Sequence, residues 1–168
     1  NFNAIDDPHK TKEYLDISGN ELQRLSLLVD KVLKLSMFEN KQIELNKEPI
    51  DVKELTQEVL DTLKPQFEKN GAVVHFNFKG DNYTIHADKL HITSVMYNLL
   101  DNTLKYTNNR PVITITLFEQ QNSFTLKISD NGIGISPAYR NKIFGKFFRV
   151  PTGNQQIIKG YGLGLSYV

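Results

Sequence analysis

Apolar and polar positions change their period several times along this chain, and each change marks an element. From about Thr11 to Phe38 the period is helical. Leu22, Leu25, Val29 and Val32 step by 3, 4 and 3, a narrow coiled-coil-type seam that Leu15 extends back by one heptad and that Leu28 and Leu35 widen. A lone helix cannot bury such a seam, and no second helical pattern of that length follows, so the helix needs a partner. Residues 1–10 carry Asp6-Asp7-Pro8 without periodicity and read as a frayed start; residues 39–50 are polar, contain Pro49 and read as a linker.

Asp51-Val52-Lys53-Glu54 then has capping-box spacing, a side-chain acceptor followed three residues later by a carboxylate. The helix it opens turns Val52, Leu55, Val59, Leu63 and Phe67 inward and ends before Gly71, with Pro65 inside it as a point of kinking or breakage. Val74, Phe76 and Phe78 alternate with His75 and Asn77, the period-2 pattern of a half-buried strand, and Tyr83–His86 is a shorter strand. Asp88 caps a further helix, about Lys89–Tyr106, with Ile92, Val95, Met96, Leu99 and Leu100 as its core face. Val112–Phe118 and Ser123–Ser129 alternate cleanly and read as a hairpin. From Asp130 to Gly164 the chain is rich in Gly, Pro, Asn and Lys, with Phe144, Phe147 and Phe148 embedded. That stretch is too long and too glycine-rich for an ordinary connection, so a functional loop is favoured.

Composition narrows the chemistry. The 168 residues carry 20 Lys+Arg against 19 Asp+Glu, a formal charge of +1, and the basic residues are scattered among acids. A nucleic-acid coat normally requires a basic patch, so that class is disfavoured. The absence of cysteine excludes disulfides, a thiolate zinc site and a cysteine nucleophile, while leaving the compartment open. No apolar run approaches the ~18 residues of a membrane span, and no signal-peptide pattern opens the chain. Asn1 suggests a fragment or processed chain, so the missing span says little about a longer parent.

Three segments carry candidate chemistry. Asn98 and Asn102 lie four apart on one helical face, with Lys105 three further along the same stripe. Asparagine is a poor helix former, and two within a leucine-rich helix need a reason. Amide oxygens suit a hard cation such as Mg²⁺, which keeps waters and takes other ligands from phosphates, and a nearby lysine offsets phosphate charge. The competing reading is that both amides are simply solvated. Asp130-Asn131-Gly132-Ile133-Gly134-Ile135 ends an apolar strand; its glycines permit close approach of a flat ligand, while the carboxylate accepts from an amino group. A plain Asp/Asn-Gly turn is the alternative. Gly160-Tyr161-Gly162-Leu163-Gly164-Leu165-Ser166 opens a helix, where backbone N–H groups make an anion site. Pro137 and Leu165 fall where a dinucleotide fingerprint requires its third glycine, and no G-x-x-x-x-G-K-[ST] loop occurs.

In order, these segments and the intervening Lys142-Ile143-Phe144-Gly145-Lys146-Phe147-Phe148 run resemble the N, G1, F and G2 boxes of the sensor histidine kinases. More broadly the chain is similar to the ATPase superfamily of gyrase B, Hsp90 and MutL, over about residues 48–168. The resemblance implies an α+β fold, a two-layer α/β sandwich of the Bergerat type, with a mixed, mostly antiparallel sheet, helices on one face and a long helix before it. It implies that Asn98 and Asn102 hold Mg²⁺ against the ATP phosphates, that Lys105 contacts phosphate and that Tyr106 lies against adenine. Asp130 would take the adenine amino hydrogen, with Gly132, Ile133 and Gly134 beside the base. Residues from about 136 to 159 would form a lid, and Gly160, Gly162, Leu163 and Gly164 would wrap the phosphates. A core role for Tyr106, and lid packing for Phe144 and Phe147, stand as alternatives. Thr103 and Tyr161 depart from the family's usual small residues but remove no ligand.

Hydrolysing members of the superfamily place a glutamate four residues before the metal-binding asparagine, as general base. Here that position is Asn98, which cannot accept the proton, so the expectation is phosphoryl transfer to a separate acceptor, with Asn98 and Lys105 as catalytic residues. None of His9, His75, His86 and His91 stands in the family's acceptor motif. Helix 11–38, ending Leu35-Ser-Met-Phe-Glu39, is similar to the second helix of the dimerising hairpin. The expected organisation is therefore residues 1–46 as a partial hairpin and residues 47–168 as the ATP-binding catalytic domain, truncated at its C-terminus. Expected partners are ATP, a response regulator and a second copy through the hairpin, in the cytoplasmic portion of a membrane-anchored bacterial sensor. A non-catalytic ATP-sensing scaffold, or a related ATPase, is the alternative.

Overall fold

The computed structural model describes residues 10–19, 22, 29, 44–107, 109–120, 123–151 and 161–168. Leu25, Leu28, Val32 and Leu35 of the expected seam, Lys159 at the end of the expected lid, and Gly160 lie outside the described residues. The chain divides into two compact units, 1–44 and 45–168. In the first, residues 10–19, 22 and 29 are helical (α1). Leu15, Leu22 and Val29, one heptad apart, are all exposed.

The second unit runs β1 (Glu48–Asp51), α2 (Val52–Lys69), β2 (Val73–Lys79), β3 (Thr84–Ala87), α3 (Lys89–Lys105), β4 (Val112–Gln120), β5 (Ser123–Asp130) and α4 (Gly164–Tyr167). The expected linker 39–50 is corrected at its end, because Glu48–Asp51 is a strand paired antiparallel with β3, Ile50 opposite Ile85. Ile50 is buried, and burying it is what one apolar residue in a polar segment can do when a partner strand is supplied from elsewhere.

Local signals set the helix ends. Asp51 accepts from Lys53 N–H at 2.8 Å and Glu54 N–H at 3.1 Å, satisfying two of the amides that a helix start leaves open. α2 continues through Pro65 to Lys69 rather than breaking. It ends in a Schellman arrangement: Ala72 N–H bonds Phe67 C=O at 2.9 Å and Gly71 N–H bonds Glu68 C=O at 3.0 Å, with Gly71 at φ +62. Asp88 caps α3 by accepting from His91 N–H at 3.2 Å.

A three-stranded sheet has the order β2-β4-β5, with β2 parallel to β4 and β5 antiparallel to it. The parallel pair is reached by way of β3 and α3, as such a crossover requires. Central β4 sends Ile113, Ile115 and Leu117 into the core, where they cluster with Val52, Leu55, Val59, Leu63 and Phe67 of α2 and Met96 and Leu100 of α3. The core stripe of α3 is narrower than its pattern suggested. Val95 and Leu99 are only half-buried and stand outside the cluster, on the flank that carries the two asparagines.

Tyr83 is 1% exposed, packs edge-on to Phe124, and finds no hydrogen-bond partner of good geometry for its hydroxyl among the described residues. Burial pushes the phenol above its ordinary value. The folded state therefore resists ionisation that the unfolded chain accepts, and stability falls as pH rises past about 10. Tyr83→Phe removes an unpaired buried hydroxyl. The expected result in urea titrations is unchanged or higher stability at neutral pH and a shallower loss at alkaline pH.

Candidate functional site

The candidate site begins on α3, whose two flanks differ. One buries Met96, Leu100 and Thr103. The other carries Asn98 and Asn102, both half-buried, one turn apart. Thr103, a departure from the family's usual residue, is buried without cost because its hydroxyl donates to Leu100 C=O at 2.7 Å. Lys105 lies at the last turn with its ammonium paired to Asp101, four residues earlier and on the same side.

The Asn pair meets the last glycine string. A Cβ placed on Gly164 would stand 3.4 Å from Asn98 Oδ1 and 4.0 Å from Asn102 Nδ2. Residues far apart in sequence thus converge on the same pair of amides, and Gly164 leaves the space beside them open. Just before it, Gly162 adopts φ +70, and a Cβ there would fall 2.7 Å from Phe147 C and Phe148 O. Leu163 between them is buried at 6% exposure and pins the string to the domain.

The other end of the site is a knot around Gly132. Its N–H donates to Asp130 Oδ1 at 2.8 Å, and the following Ile133 N–H donates to Tyr106 C=O at 2.9 Å. A Cβ on Gly132 would lie 2.7 Å from both Asp130 Oδ1 and Tyr106 O, so only glycine fits without backbone movement. Tyr106 is half-buried at the end of α3, where its N–H bonds Asn102 C=O at 3.0 Å. One chain of backbone contacts therefore runs from Asn102 through Tyr106 to Ile133, and Gly132 holds Asp130. Ile133 itself is exposed, and Gly134 has φ +70 with open space around it.

Asn131 is a functional position that the motif reading passed over. Its Oδ1 accepts from Val112 N–H at 2.8 Å and its Nδ2 donates to Arg110 C=O at 3.1 Å, clamping the loop to the start of β4. The signal was available: an Asx residue just past a strand is the type that bonds neighbouring backbone. The segment after Ile135 forms a short 3₁₀ turn, Pro137–Tyr139, and a run of turns. Tyr139 and Phe148 pack with ring centroids 6.0 Å apart, while Phe144 and Phe147 are exposed at 56% and 61%. Phe147 is the only non-glycine among the described residues with positive φ, +58.

Residues 87–168 match the family described as Histidine kinase-, DNA gyrase B-, and HSP90-like ATPase. Those residues form a domain of that family, and over nearly its whole length the chain is similar to sensor histidine kinases. The sensor protein RprX of Bacteroides fragilis is 36% identical over 96% of this chain, which spans 31% of RprX. The Acinetobacter baumannii histidine kinase AdeS is 26% identical, with a TM-score of 0.72 over 96% of this chain and 71% of that one. The histidine kinase ThkA, solved in complex with the response regulator TrrA, is 26% identical, with a TM-score of 0.65 over 85% of this chain and 42% of that one. The mixed α/β architecture is accordingly that of the histidine kinase ATPase domain, an ATP-binding fold. No described helix is long and apolar enough to cross a membrane.

The two glycines beside the asparagines separate in their tolerance. Gly162→Ala forces a side chain onto the backbone of Phe147 and Phe148 in a left-handed conformation, and a loss of about 1–3 kcal/mol is expected in denaturant unfolding. Gly164→Ala meets only ordinary contact at 3.4 Å on a helical residue, so a stability change under about 1 kcal/mol is expected.

Proposed function

We propose that this chain binds ATP with Mg²⁺ and serves as the catalytic part of a sensor histidine kinase, transferring the γ-phosphoryl to a histidine carried on another helix of the kinase. The observation that carries the reading is the convergence of Gly164 on Asn98 and Asn102, joined through Tyr106 to the Asp130–Gly132 knot. Asparagine amides, glycine backbone and a carboxylate would thus meet a nucleotide along one surface, phosphates at one end and base at the other.

The residues fit the ion. Asn98 and Asn102 offer two hard oxygen ligands, and the missing Cβ of Gly164 leaves room for ligands the nucleotide brings. The amides and the nucleotide's phosphates would make up the ligand set together. When bound, Mg²⁺ neutralises charge on the transferring phosphoryl. Lys105 would exchange its Asp101 partner for a phosphate oxygen, a modest cost for an exposed ion pair. At the other end, Gly132 N–H fixes one oxygen of Asp130 and so orients the carboxylate toward the adenine amino group, with Gly134 and Ile133 alongside and the Tyr106 ring against the base. Gly162 and Leu163 would complete the phosphate wrap, beside the described segment that follows Ser136.

Asn98 stands where hydrolysing relatives of the superfamily hold a general base. An amide cannot take a proton from water, so ATP waits for a better nucleophile. A neutral imidazole supplies its own lone pair: the N–P bond forms, the bond to the β-phosphate bridging oxygen breaks, and ADP leaves. Positioning and electrostatics do most of this work. Residues 1–46 act in this reading as part of a dimerising hairpin with its second helix at about 11–38, whose heptad positions Leu15, Leu22 and Val29 are exposed for a partner. The phosphohistidine then passes its group to a response regulator, the kind of partner seen with ThkA, and the assembly is the cytoplasmic portion of a membrane-anchored bacterial sensor.

Asp130→Asn is expected to weaken ATP binding by roughly 1.5–3 kcal/mol in calorimetry, the scale of a hydrogen bond to a charged acceptor. Unchanged affinity would remove the adenine contact from the scheme. Asn98→Ala is expected to abolish Mg²⁺-dependent labelling of an acceptor helix joined to the chain, and retained label would refute the metal role.

A further inference from the structure

α4 starts beside the asparagines and ends on the first turn of α3. At its far end the Tyr167 hydroxyl lies 2.6 Å from His91 Nδ1, with the two rings tilted by 37° and their centroids 6.1 Å apart. His91, Asn98 and Asn102 share one flank of α3, spaced by seven and four residues, so His91 stands about 10 Å along the helix axis from Asn98. α4 therefore lies along that flank, with Gly164 over the amides and Tyr167 over His91. The imidazole is itself steadied from behind. Its Nε2 faces Asp88 Oδ2 at 3.9 Å, and Asp88 Oδ1 accepts from His91 N–H at 3.2 Å. Asp88 Oδ2 also accepts from Asn46 N–H at 3.0 Å, which fastens the same carboxylate to the segment leading into β1.

Two of the contacts that place α4 lie at its ends: buried Leu163 just before its start, and the Tyr167–His91 pair at its end. Leu163 alone fixes a point. The second contact, three residues beyond Gly164, fixes a direction.

We propose that His91 and Tyr167 are positioning residues for the phosphate end of the nucleotide: their hydrogen bond holds α4 along α3 and so keeps the Gly162–Gly164 backbone against Asn98 and Asn102. This rests on the ATP reading above and adds to it two residues that touch no nucleotide. The adenine end is built by Asp130, Gly132 and Tyr106 and does not depend on α4, so the pair selects for phosphate and not for base.

The test compares ATP–Mg²⁺ with adenosine by calorimetry on the 168-residue chain, alongside its thermal unfolding. Tyr167→Phe, which keeps the ring, and His91→Leu are expected to weaken ATP by about 3–10-fold, one hydrogen bond's worth, with adenosine within about twofold of the parent. His91→Asn, which sets an amide near the position of Nδ1, is expected to recover most of the ATP affinity. ATP affinity unchanged in both variants overturns the proposal, and so does an equal loss for ATP and adenosine, the mark of a merely structural role. If His91→Leu fails to fold, Tyr167→Phe carries the same comparison. A parent chain that binds neither ligand overturns the ATP reading together with this inference, whereas a parent that binds both and variants that do not discriminate overturn this inference alone.

Discussion

The burial of one stripe of α3 is the constraint from which the rest follows. Met96 and Leu100 enter a single cluster with α2 and with Ile113, Ile115 and Leu117 of β4, and that fixes the rotation of α3 about its axis. Once the rotation is fixed, Asn98 and Asn102 have no freedom to turn elsewhere, since residues on a helix keep their angular spacing. The amide flank is therefore set by hydrophobic packing on the opposite side of the same helix. Polar groups that must meet a ligand gain their precision from apolar contacts that never touch it.

Much of this was legible in the chain. The caps at Asp51 and Asp88, the inward stripe of α2, the hairpin of β4 and β5 and the asparagine spacing all rest on local rules, and local rules survive folding intact. What escaped was non-local. β1 is four residues with one buried side chain, and its partner β3 lies more than thirty residues away, so nothing nearby marks it as a strand. The parallel pairing of β2 with β4 depends on a crossover, which periodicity does not encode. Val95 and Leu99 share their chemistry with core residues but sit on the flank of the asparagines, because α3 is covered unevenly on its two sides. The role of Asn131 follows from where Arg110 and Val112 arrive, and that of His91 from where Tyr167 arrives.

In the proposed reading, a polyanion is met without a basic patch. Charge is nearly balanced across the chain, and the groups proposed to meet phosphate are two amides, glycine backbone and one lysine already paired with a carboxylate. Such a surface attracts phosphate weakly at long range and recognises it closely at short range. Such a surface would suit a ligand that arrives with its own divalent cation.

The contact between Gly162 and the backbone of Phe147 and Phe148 has a mechanical consequence. Two segments that approach so closely that a single methyl group would not fit between them behave as a latch, not as independent flaps. Raising the aromatic segment drags the glycine string away from the asparagines, and loosening the string frees the left-handed Phe147 to relax toward a commoner conformation. In the proposed kinase, displacing the aromatic segment and displacing the glycine string from the asparagines are then one event, which ties exposure of the two amides to the left-handed conformation of a single phenylalanine.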